Sequence, residues 1–173
     1  AIPSSLVDAI ADAKSVNKAS TDLLKTWAEN HDFYWRSSAM RGLALRAGNR
    51  ASQLSEDERA MWANIFSRYV DDPAWLMRTH ARFGTDLIGL ANANQSPEED
   101  PRANVRLTRL LLDYGRLPGL QPLINALADQ RTFLGIPWGP RMGQEANKAL
   151  NLWLANDFPK LKPGNQAESI AAI

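Results

Sequence analysis

The chain of 173 residues has no cysteine. Disulfide scaffolds, thiolate zinc sites, iron–sulfur clusters and cysteine nucleophiles are therefore excluded. It has only two histidines, too few for an imidazole-rich metal site. β-Branched residues are scarce: Val, Ile and Thr number 4, 8 and 6, against 25 Ala and 22 Leu. That balance disfavours strands and favours helices. No apolar run approaches the ~20 residues of a membrane-spanning helix. The opening residues, Ala1 to Ser5, lack a basic region followed by an apolar one, so no secretory leader is expected there. Neither charge sign dominates. Lys and Arg total 20, Asp and Glu 19, for a formal net charge of +1. This excludes a general polycation that coats nucleic acid, though not a local basic patch.

What is present is a series of helix start and stop signals. Ser55-Glu56-Asp57-Glu58 forms a capping box. Asp72-Pro73 and Asp100-Pro101 each set a capping carboxylate before a proline, which needs no N–H in a first turn. Gly139-Pro140 opens another segment, and Gly115 marks a left-handed helix end. The spacing predicts eight helices, over 4–14, 20–29, 34–48, 55–70, 73–91, 101–114, 119–129 and 140–156. Apolar residues repeat along them at helical period, for example Leu76, His80, Phe83, Leu87 and Leu90. Gly84 and Gly89 mark points where the fifth helix bends or stops. The expected fold is all-α, with one helical domain over 1–158 and a non-helical tail over 159–173, where Pro159, Pro163 and Gly164 break helices.

The segment from Asp72 to Ala81 can be laid on that from Asn30 to Ala39 at an offset of 42 residues, which aligns Arg78 with Arg36. In both, a short polar residue opens a helix, an apolar-Arg pair follows, and an Ala comes three residues later. The Arg can reach back to a carbonyl or carboxylate in the preceding turn. Asp100-Pro101 repeats the opening, but Arg109 stands where Ala is expected. Arg141 takes the Arg place in a last, lengthened pair. This pattern resembles the HEAT repeat family of α-solenoids, over about residues 20–156. The match is good at Asp72, Pro73, Met77, Arg78 and Ala81. It is weaker at Trp35, Arg36 and Ala39, because Asn30-His31 replaces Asp-Pro. The resemblance implies stacked antiparallel helical hairpins with a concave, protein-binding face.

Several residues are candidates for chemistry. His31-Asp32 matches a dipeptide that metal-dependent phosphohydrolases of the HD type use, but no histidine precedes it, so a helix cap is the expected role. His80 lies on an apolar stripe, where a core histidine bonded to a backbone carbonyl is usual. Arg102, Arg106 and Arg109 share a helix face and suit carboxylates or phosphates. They form either a binding stripe or a solvated face paired with Asp113, Glu98, Glu99 and Asp100. The segment from Arg131 to Gly139 is loop-like by its Gly and Pro, yet carries Phe133, Leu134, Ile136 and Trp138. An apolar loop either plugs the core or presents a contact. Trp138, between Pro137 and Gly139, is the best anchor candidate. Of the six Trp, the other five (Trp27, Trp35, Trp62, Trp75 and Trp153) sit where helix packing would bury them.

The sequence therefore points to a non-catalytic binding module or scaffold. Its concave surface would present Arg102, Arg106 and Arg109, with Phe133 and Trp138 on an apolar loop. The expected partner is a protein or acidic peptide, ahead of nucleic acid. No cofactor and no metal are expected. The alternative is a small helical enzyme acting on a glycosidic or nucleobase bond, as HEAT-like DNA glycosylases do, with a cleft carboxylate. No GxSxG, GxxxxGK[ST], GxGxxG or HExxH pattern occurs.

Overall fold

The computed structural model describes residues 4–12, 17–30, 32–90, 98–116, 118–133 and 138–157. These form eight helices: α1 (Ser4–Asp12), α2 (Lys18–Ala28), α3 (Phe33–Asn49), α4 (Glu56–Ser67), α5 (Trp75–Leu87), α6 (Pro101–Asp113), α7 (Gln121–Ala126) and α8 (Met142–Asp157). Among the described residues the only extended pairing is one isolated bridge, Thr132 to Arg141. The protein is all-α, as its composition implies. The sequence suggests one helical domain over 1–158, while the contacts gather into two compact units, 1–103 and 104–173. The expected tail over 159–173 lies outside the described residues.

Local chemistry sets several helix ends. The Ser55 hydroxyl accepts from the Glu58 amide at 3.2 Å, and the Glu58 carboxylate accepts from the Ser55 amide at 3.0 Å. Asn17 and Ser20 form a second capping box, on α2. Asp32 caps α3 by accepting from the amides of Tyr34 and Trp35; His31 lies outside the described residues. The Asp100 carboxylate accepts from the Arg102 amide at 2.9 Å, with Pro101 first in α6. Gly89 and Gly115 take φ of +74° and +69°. In each, the glycine N–H and the next N–H bond back to the last turn, Gly115 to Leu112 at 2.9 Å and Arg116 to Leu111 at 2.9 Å. That is a Schellman stop, which needs a left-handed residue.

Two expectations are corrected. The fifth helix starts at Trp75 rather than Pro73. Asp72 instead closes a turn by accepting from the Ala74 amide at 2.9 Å, and it also pairs with Arg36. The same helix ends at Leu87 rather than 91 because Gly89 terminates it, whereas Gly84 stays inside it.

In the first unit α3 is central and packs on α1, α2 and α5, with α4 on α5. Leu24, Trp27, Met40, Leu43, Phe66, Met77 and Phe83 fill its core. The two equivalent arginines play the same part in successive hairpins. Arg36 donates to the Ala28 carbonyl at the end of α2 and pairs with Asp72 of the next turn. Arg78 donates to the Asp72 and Pro73 carbonyls at 2.8 and 3.1 Å, and its other N–H groups grip both oxygens of Glu98 at 2.9 and 3.0 Å. Each arginine thus ties its own turn to a following acid. Buried His80 meets the Ser37 carbonyl at 2.8 Å through Nδ1. Because a carbonyl only accepts, Nδ1 carries the proton, and the imidazole joins α5 to α3. Arg46, also buried, binds the hydroxyls of Ser20 and Thr21 and the Ile10 carbonyl, so α3 holds α1 and α2 together. Burial pushes its pKa down.

In the second unit α7 packs on α8, with Leu123, Ala126, Met142, Ala146 and Ala149 buried.

Candidate binding site

The apolar loop before α8 is fastened at its base. Thr132 and Arg141 form the antiparallel bridge. The Phe133 amide donates to the Pro140 carbonyl at 2.8 Å and the Met142 amide to the Arg131 carbonyl at 2.9 Å. Below the bridge, Arg131 forks onto Asp129, and the Arg141 guanidinium donates to the Gln130 carbonyl at 3.0 Å. The Arg131 hydrogen bonds hold the Asp129 carboxyl below its usual value.

The loop's two candidate residues go opposite ways. Phe133 is 6% exposed, whereas Trp138 is 85% exposed, the most exposed large apolar side chain among the described residues. Residues 134–137 lie outside the described residues. Within one loop Phe133 is thus buried and Trp138 faces solvent. Beside the loop base is a cleft of about 380 Å³, lined by Leu127, Gln130, Arg141, Gly143, Gln144 and Asn147. Its lining has one cation, three carboxamides and no acid. Trp138 precedes Arg141 by three residues, so their Cα atoms lie within about 11 Å. The sequence reading overlooked this cleft. The available signal was Arg141, already singled out in the repeat pattern but read there as a joint between helices.

The arginine stripe on α6 is engaged with nearby acids. Arg102 forks onto Asp100 at 3.0 and 2.6 Å and covers the Trp75 ring, 5.3 Å from its centroid. Burial works to raise the Asp100 pKa, but the hydrogen bonds from Arg102, with its charge and that of Arg78, outweigh burial and hold it down. Arg109 reaches Asp113 one turn on, at 3.1 Å. Arg106 is half-buried. Of the neighbouring acids, Asp100 and Asp113 meet the stripe and Glu98 meets Arg78 instead. Because the Arg109–Asp113 pair is solvent-facing, Arg109→Ala is expected to change stability by no more than about 0.5 kcal/mol in urea unfolding. A loss several times larger would mean the pair is part of the packing.

Compared with family models, curated proteins and solved structures, the chain matches none. Function therefore has to be argued from the chain's own geometry. Among the described residues, no group of three or more His, Asp or Glu is placed to hold a metal ion. Trp27 and Trp35 meet edge to face at 5.7 Å, and Trp62 stacks on Phe66. These rings serve packing, which leaves Trp138 as the tryptophan presented to solvent.

Proposed function

We propose that this chain is a binding module, without catalysis of its own, that docks a protein partner through the loop of the second unit. The exposure of Trp138 on a loop with a fastened base carries this reading. Exposing an indole to water is unfavourable, and a tryptophan held on a pinned loop loses little freedom when a partner covers it. Arg141 and the carboxamides beside it suit an acidic or main-chain group next to the apolar contact. An acidic partner would meet Arg102 and Arg109 only by displacing Asp100 and Asp113, so Trp138 ranks before the stripe formed with Arg106. The parallel roles of Arg36 and Arg78 support hairpins stacked in a HEAT-like manner.

The test is capture from extract of the source cell on the immobilised chain, with bound proteins quantified by mass spectrometry at low and high salt. Trp138→Ala is expected to reduce recovery of the specific partner by roughly thirtyfold, the size of a central hot spot. That loss should persist in high salt, while Arg141→Gln should remove a salt-sensitive part. Recovery unaltered by Trp138→Ala would overturn the proposal.

A further inference from the structure

A second cavity, of about 210 Å³, lies in the first unit between α2 and α4. It arises because α2 packs on α3 while α4 packs on α5, which leaves a gap between the two helices with Leu43 of α3 beneath it. Ala28, Leu43, Met61 and Ile65 supply its apolar surface, and Lys25, Glu29, Asn64, Arg68 and Tyr69 its polar surface. Met61 is 44% exposed, unusual for a large apolar side chain.

The polar groups have one dominant character, that of donors. Arg68 is exposed and, among the described residues, pairs with no carboxylate. Lys25 makes only a loose pair with Asp22, at 3.6 Å. Burial foremost, and then Glu29, push the Tyr69 pKa up, so its hydroxyl remains an O–H donor at neutral pH. Glu29 is the one acid present. It lies one turn beyond Lys25, and the lining then carries two cations, Lys25 and Arg68, against this one acid.

We propose that this cavity binds a small carboxylate with an apolar body. The carboxylate takes the Arg68 fork, assisted by Tyr69 and Asn64, and the body covers Met61, Ile65 and Leu43. A planar guanidinium matches a carboxylate in two parallel hydrogen bonds. The volume falls below the ~300–1,000 Å³ of pockets for drug-sized ligands, so the body is a single ring or a short chain. The lining of this site shares no residue with the loop of the second unit or the cleft beside it.

The experiment is an amide-correlation NMR titration of the whole chain with three probes of one shape: 3-phenylpropanoate, 3-phenylpropanol and 3-phenylpropylamine. Saturable shifts are expected at Asn64, Ile65, Arg68 and Tyr69 with the carboxylate. The alcohol should bind roughly tenfold more weakly, the loss of a charge-assisted fork. Arg68→Gln should bring the carboxylate down to the alcohol's level and leave the alcohol's own affinity unchanged. Arg68 is exposed, so this variant should fold, and Trp138→Ala should leave the titration unaltered. The proposal is overturned by absence of saturable shifts, by amine or alcohol binding as tightly as the carboxylate, or by Arg68→Gln having no effect.

Discussion

Arg78→Met is expected to destabilise the folded chain by about 3 kcal/mol, the cost of leaving a buried acid without its main partner. Glu98 is 6% exposed at its side chain, and Arg78 holds both its oxygens. Arg82 approaches the same carboxylate only at 3.8 Å and is shared with Asp71. Methionine keeps the apolar stem of the arginine and removes the fork, so the loss reports the charge pairing. The double variant Arg78→Met with Glu98→Gln should lose markedly less than the two single losses combined, because it no longer buries a charge that has lost its main partner. Burial works to raise the Glu98 pKa, yet the hydrogen bonds from Arg78 and the Asp100 amide, with the charges of Arg78 and Arg82, win and lower it from 4.5. A lowered pKa means that the folded state prefers the ionised form. The stabilisation is therefore full above pH 4.5 and disappears as pH falls through the lowered value. Urea unfolding of the natural chain should show this acid-side loss, and Arg78→Met should flatten it. An Arg78→Met chain within 1 kcal/mol of the natural one at neutral pH, as roughly for a surface pair, would refute this account of the joint.

Phe66→Ala is expected to cost about 3–5 kcal/mol, as removal of a fully buried ring does. The ring is stacked on Trp62 at 5.9 Å between centroids and lies against Gly84 of α5. A Cβ at position 84 would come within 2.5–2.8 Å of three Phe66 ring atoms. Gly84→Ala alone should therefore cost roughly 1–3 kcal/mol through overpacking, despite alanine's better helix propensity. With Phe66→Ala already made, the same substitution enters vacated space and should become neutral or stabilising. Chemical denaturation of the two single variants and the double variant tests this directly. Additive losses would show that ring and glycine do not share the space.

These two sites mark where sequence reading stops. Glycine inside a predicted helix reads as a weak point, and the reading expects a bend or break at Gly84. The helix continues there because a ring from α4, 18 residues earlier in the chain, needs the room. The Asp72-Pro73 start misleads for a related reason. The pair has the right form for a cap, but Asp72 serves a turn and a pairing with Arg36, 36 residues away.

The sequence by itself determined the all-α class, the eight helical segments, and the stop at Gly115. It also marked Arg36 and Arg78 as equivalent. These follow from hydrogen bonds and φ preferences within a few residues, which local order encodes. Only the tertiary structure decided which acids the α6 arginines meet, and which way the loop residues face. Phe133 and Trp138 are both aromatic and lie in one loop, and composition cannot separate them. Phe133, next to the Thr132–Arg141 bridge, is buried, and Trp138 stands in water. The cavity between α2 and α4 draws on residues from Lys25 to Tyr69. It exists because two helices each pack better on a different neighbour than on one another, and that competition between burial surfaces is set in three dimensions.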